Sequence, residues 1–99
     1  MTIGCPKQKP FRSEKYLNFV RSQCCCVCLA PPRSEAHHFR TSFNSGIGIK
    51  PSDTYCLPLC SDHHKEIHRT GVKTFCEKHG IDIYRVLHKL VSEYIKEEL

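Results

Sequence analysis

Apolar positions recur along this chain with two different periods, and the change of period marks out its elements. Tyr16, Leu17 and Val20 fall at helical spacing behind Ser13, a residue suited to N-cap a helix, and Phe19 widens their stripe. This predicts a packing helix running to about Ser22. Residues 35–40 and 55–59 are short, bounded by turn signals, and predict two strands paired as an irregular hairpin. Ser61 or Asp62 can cap a helix that runs through His68 and stops at Gly71. A second short helix fits Val72–His79, ended by Gly80, and Asp82 caps a third. That last helix carries Ile83, Val86, Leu87, Leu90, Val91, Tyr94 and Ile95 on one face, with Arg85, Lys89, Glu93 and Lys96 on the other. Such a stripe either clamps the core or meets a second copy of the chain, so a homodimer through the C-terminal helix is one expectation.

The pattern starts late. Residues 1–12 hold lysines and prolines without apolar periodicity and read as a basic arm, leaving 13–99 as a single domain. Ninety-nine residues bury only a modest core, and domains of that size often need a covalent or metal staple. Eight cysteines could provide either. The chain opens without the apolar stretch of a secretory signal, and no run is long enough to span a membrane. The expectation is therefore a cytoplasmic, reduced protein whose clustered cysteines and histidines bind metal instead of pairing as disulfides. A net charge of +5 leans toward an anionic partner without demanding one.

Candidate chemistry concentrates in two places. Within the triplet and Val27–Cys28 that follow Gln23, only Cys25 and Cys28 have the two-residue gap that turns both sulfurs onto one ion, with Cys24 close enough to substitute. Cys60 and His63 repeat that gap at the head of the predicted helix. His64 and His68 stand four apart on the same helix, so both imidazoles can reach one ion. His37 and His38 are neighbours in a predicted strand and face opposite sides, one free to meet a metal while the other addresses a substrate. Between them, residues 41–53 form a glycine-containing loop.

The order Cys-x2-Cys, His-His on a strand, then Cys-x2-His-His-x3-His on a helix resembles the HNH endonucleases of the ββα-metal superfamily, in their zinc-knuckle branch. The text around it, Ala36-His37-His38-Phe39-Arg40, Gly48-Ile49-Lys50-Pro51-Ser52-Asp53 and Pro58-Leu59-Cys60, is similar to the phage-derived Ref-like recombination-enhancement nucleases. The likeness covers about residues 25–71, with His63 standing where the branch usually has a second cysteine. It implies an α+β fold: a small ββα-metal core stapled by zinc, with flanking N- and C-terminal helices. It implies Cys25, Cys28, Cys60 and His63 as structural zinc ligands, and His37, His64 and His68 as ligands of a catalytic divalent cation (Mg²⁺, Mn²⁺, Ni²⁺ or Zn²⁺). His38 matches the general base. The activity implied is hydrolysis of DNA phosphodiesters, one nick per active site, leaving 5′-phosphate and 3′-hydroxyl ends.

One position departs from the pattern. Tyr55 stands where the family has the asparagine that orients the base, so Tyr55 itself, Asn44 or a backbone carbonyl is the candidate for that task. Arg40, Lys50, Lys65 and Arg69 lie near the site in sequence and are candidate DNA phosphate contacts. The rival reading is a non-catalytic, treble-clef-like zinc module that binds DNA or protein. It accounts for the four knuckle ligands and the charge but leaves His37, His38, His64 and His68 idle.

Overall fold

The computed structural model of the chain describes residues 11–40 and 51–99. Its element order is α1 (Glu14–Arg21), β1 (Glu35–His38), β2 (Cys56–Leu59), α2 (Ser61–Thr70), α3 (Val72–His79) and α4 (Ile83–Glu98). The fold is α+β: one two-stranded antiparallel hairpin and four helices. The hairpin and α2 form the ββα unit, and α1, α3 and α4 surround it.

Each helix stops and starts for a local reason. Ser13 caps α1 by accepting from the Tyr16 N–H, and Asp82 does the same for α4 toward Arg85. Gly71, at φ 86°, ends α2 and begins α3 at once, a backbone geometry that a side chain would strain. Gly80, at φ 65°, ends α3 in the left-handed conformation. The start of α2 differs from expectation. Its N-cap is Cys60, with no side-chain cap bond, because that sulfur is turned toward Cys28 and His63 instead.

The hairpin register pairs Glu35 with Leu59, Ala36 with Pro58, His37 with Leu57 and His38 with Cys56. Strand alternation therefore divides the two histidines. His37 shares a face with Leu57 and Leu59, which pack with Ile67 of α2 and Phe75 of α3. His38 shares the other with Cys56, which packs with Tyr16, Val20 and Leu90 of α1 and α4. β2 is buried on both faces for this reason, and its outer edge is used too, with the Cys26 N–H donating to the Pro58 carbonyl at 3.0 Å. The strands are shorter than expected: Phe39 and Tyr55 lie just outside them, joined by a Phe39 N–H to Tyr55 carbonyl bond of 3.1 Å.

α4 spends most of its stripe inside the chain. Leu87 enters the cluster around Phe75, while Leu90, Val91 and Tyr94 meet α1, with the Tyr94 ring edge-on to Tyr16 at 5.0 Å. No helix among the described residues is long and apolar enough to cross a membrane. Of the basic arm expected over residues 1–12, Phe11 and Arg12 are bonded to the segment 51–53. Residues 1–10 lie outside the described residues.

Phe75 of α3 is fully buried in the cluster that includes Leu57, Leu59, Ile67 and Leu87. Phe75→Ala should cost about 3–5 kcal/mol, the usual cost of an emptied aromatic site. Urea denaturation should show a lower midpoint with little change in slope.

Candidate metal centre

The knuckle is built from two segments that the hairpin brings together. Residues 25–30 close a tight turn in which the Leu29 N–H donates to the Cys25 carbonyl at 2.9 Å and the Cys25 N–H to the Ala30 carbonyl at 3.1 Å. Leu29 takes φ 61°, a left-handed conformation unusual for leucine, so the turn is held against its local preference. The second segment is the first turn of α2. Cys28 Sγ lies 3.8 Å from Cys60 Sγ, Cys60 Sγ 3.1 Å from His63 Nδ1, and Cys25 Sγ 3.7 Å from His63 Nδ1. Four ligands placed tetrahedrally on one ion with metal–sulfur bonds of about 2.3 Å would stand roughly 3.5–3.8 Å apart. Cys25, Cys28, Cys60 and His63 together could hold a metal ion.

Electrostatics distinguishes the neighbouring thiols. Burial works to raise the Cys25 thiol, but hydrogen bonds from the backbone N–H groups of Cys28, Cys60 and Val27 outweigh it and bring it down to about 6. Cys25 is thus suited to the thiolate form that metals require. Cys26 goes the other way, pushed up to about 12 by burial and by the Cys25 charge, and packs against the core as a neutral side chain. Cys24 is exposed and outside the cluster.

A carboxylate supports the back of this centre. Buried Glu66 bonds His79 Nε2 at 2.9 Å and the Lys78 ammonium. These two partners, Lys78 first, depress its carboxyl to about 2. The His79 ring stands edge-on to that of His63, 5.2 Å away. The pair ties α3 to the turn of α2 that carries His63, and sequence reading missed both residues. Glu66 sits one turn after His63, which is the available signal; nothing local marks His79.

On the first face of the hairpin, His37, His64 and His68 bring one ring nitrogen each within a common radius that could hold an ion. His64 Nε2 and His68 Nε2 are 3.2 Å apart, and the His37 ring is 5.1 and 4.7 Å from theirs. Two nitrogens on one ion at about 2.0–2.1 Å each would stand roughly 3.3–3.4 Å apart in tetrahedral geometry. Glu35 Oε1 accepts from His64 Nδ1 at 2.6 Å, which places the proton there and leaves the Nε2 lone pair for the centre. Burial lowers His37 to about 4, with His64 and His68 adding to the effect, so the ring is neutral at pH 7 with a lone pair to offer. Glu35 lies two residues before His37, on the same strand face, and the period-two pattern does signal it.

Among the described residues, His38 is held by Asp53 and not by Tyr55. Its Nε2 lies 2.8 Å from Asp53 Oδ1, while Tyr55 packs its ring edge-on to Phe39 at 5.8 Å. Tyr55 precedes β2 on the side of the core cluster, so its ring is consumed by packing. Asn44 lies outside the described residues. Asp53 is buried, and its carboxyl is held below the usual range: burial opposes this, but His38, the Ser13 N–H and Arg12 together outweigh it. Of the candidate phosphate contacts, Lys65 and Arg69 are exposed one helical turn apart on α2, next in sequence to His64 and His68. Arg40 is exposed just beyond β1, and Lys50 lies outside the described residues.

Fold and clusters define a small α+β domain built around cysteine and histidine groups that could hold metal. The chain belongs to the DUF968 family, described as a protein of unknown function, whose profile matches residues 1–95. It is 37% identical over 75 residues to the uncharacterized protein YdfU of Escherichia coli strain K12, an alignment covering 76% of this chain and 21% of that protein. The chain therefore spans about a fifth of the length of that relative. No solved structure matches it.

A closed four-ligand cluster predicts one tightly held metal ion per chain after dialysis, read by elemental analysis. Cys28→Ala or His63→Ala should lose that ion and lower the melting temperature, because binding free energy in small metal modules is folding free energy. Retention of no metal by the wild-type chain would refute the assignment.

Proposed function

We propose that this chain is a metal-dependent DNA endonuclease of the HNH type, with structural zinc at Cys25, Cys28, Cys60 and His63. The observation that carries the reading is the convergence of His37, His64 and His68 beside a histidine, His38, whose ring is fixed by a buried carboxylate. A binding module has no evident use for three imidazoles gathered in one cluster, with the neighbouring strand histidine held by a buried carboxylate.

The donor set suits a catalytic cation. Three imidazoles fill one side of a coordination sphere and leave positions for substrate, and they accept several first-row ions. When bound there, a divalent cation supplies positive charge for a phosphate oxygen and for the leaving 3′ oxygen. The remaining work falls to the chain's own groups. His38 takes a proton from the attacking water at its second ring nitrogen, Nδ1, which makes no hydrogen bond among the described residues. Glu35 keeps His64 in the tautomer that offers Nε2. Lys65 and Arg69 hold flanking phosphates, contacts that orient DNA without reading its sequence. A single such centre nicks one strand.

Two variants separate the roles. His38→Ala should retain metal, fold and DNA binding while plasmid nicking with Mg²⁺, Mn²⁺ or Ni²⁺ falls by about 10²–10⁴, the usual contribution of a positioned base. His68→Ala should also abolish nicking, but through a weakened metal site, so excess metal restores part of it. Wild-type chain that is fully metal-loaded, binds DNA and nicks nothing would replace this reading with the non-catalytic module. Separately, Arg69→Ala should weaken binding equally across unrelated DNA sequences and flatten its salt dependence. A changed sequence preference would make Arg69 a base reader instead.

A further inference from the structure

The bonds around Asp53 complete a helix cap from a distance. In a capping box the N-cap hydroxyl accepts from the N–H three residues on, and that residue's side chain accepts from the N-cap N–H. Ser13 makes the first bond, its Oγ accepting from the Tyr16 N–H at 3.0 Å. The tyrosine side chain does not return the second. The Ser13 N–H donates instead to Asp53 Oδ2 at 2.7 Å, across 40 residues of sequence. The same junction is bonded twice more: the Asp53 N–H donates to the Phe11 carbonyl at 2.9 Å, and Arg12 Nη1 donates to the Pro51 carbonyl at 2.5 Å. Arg12 Nη1 also stands 3.6 Å from Asp53 Oδ1. One carboxylate oxygen thus belongs to α1, and the other faces His38 Nε2 at 2.8 Å.

We propose that Asp53, clamped by the N-terminal turn of α1, is the positioning residue for His38, holding its ring in the Nε2–H tautomer so that Nδ1 carries the lone pair. The inference rests on the nuclease reading for what His38 does, and not for how His38 is held. α1 then has a task beyond packing: its first turn and the two residues before it fix the proton on a ring in β1.

The chemistry requires a carboxylate and not an amide. Ionised aspartate only accepts, so its two oxygens serve the Ser13 N–H and the His38 N–H together. The side chain is 4% exposed, so water does not compete for either bond. An asparagine of the same shape has one oxygen and one NH₂. With its oxygen on Ser13, the NH₂ faces His38 Nε2, which must give up its proton to become an acceptor, and the ring proton moves to Nδ1. With the amide reversed, its NH₂ and the Ser13 N–H oppose each other as two donors. The first arrangement keeps the cap and blocks the base.

The test is Asp53→Asn in the full metal-loaded chain, with two readouts. Two-bond ¹H–¹⁵N NMR of the histidine rings should show His38 as Nε2–H in the wild type and as Nδ1–H in the variant. In nicking assays kcat should fall by at least about 10², as for loss of a general base, with KM and metal content unchanged. A wild-type His38 in the Nδ1–H form overturns the proposal, as does a variant that keeps both the Nε2–H form and the wild-type rate. If the variant fails to fold, the wild-type spectrum still decides. A wild-type chain that shows the Nε2–H ring but cuts no DNA upholds the clamp and removes the nuclease reading alone.

Discussion

Two short segments, the turn at Cys25–Cys28 and the first turn of α2, meet across the outer edge of β2, and the rest of the molecule is arranged around that approach. The Cys26 N–H to Pro58 carbonyl bond sets its closeness, and three sulfurs and an imidazole nitrogen fill the gap. Several local features give way to it. Leu29 accepts a left-handed backbone, and α2 starts at a cysteine that caps nothing because its sulfur points into the cluster. A chain with this little core has few other means to fix the angle between hairpin and helix. The three-histidine group depends on that angle, since one of its members comes from β1 and two from α2.

The hairpin distributes chemistry by simple alternation. Neighbouring histidines face opposite sides, so His37 joins the imidazoles of α2 while His38 is handed to the segment beside α1. Three histidine rings are each bonded by a carboxylate from another segment: His64 by Glu35, His38 by Asp53, and His79, behind His63, by Glu66. A neutral imidazole has two tautomers, and only an outside acceptor decides which nitrogen keeps its lone pair. In the proposed nuclease, those carboxylates would convert a collection of histidines into ligands and a base with defined roles.

What the chain determines by itself is whatever depends on spacing over one or two turns. Helix positions, the caps at Ser13 and Asp82, the glycines at 71 and 80, and the grouping of Cys25 with Cys28, of Cys60 with His63 and of His64 with His68 follow from periods of 3.6 and 2 and from the two-residue gap. Even Glu35 was within reach, because a residue two before His37 shares its strand face. Tertiary structure alone decided the partners that meet across long loops. Asp53 reaches His38 from 15 residues away and Ser13 from 40, and its neighbours in sequence say nothing of either. Tyr55 stood at the position expected for an orienting group, yet its ring was worth more packed on Phe39 than turned toward His38. His79 met Glu66 only because Gly71 folds α3 back against α2. Local geometry is written in the order of residues, whereas the second partner of a polar side chain is chosen by whichever distant segment the closed core leaves within hydrogen-bond reach.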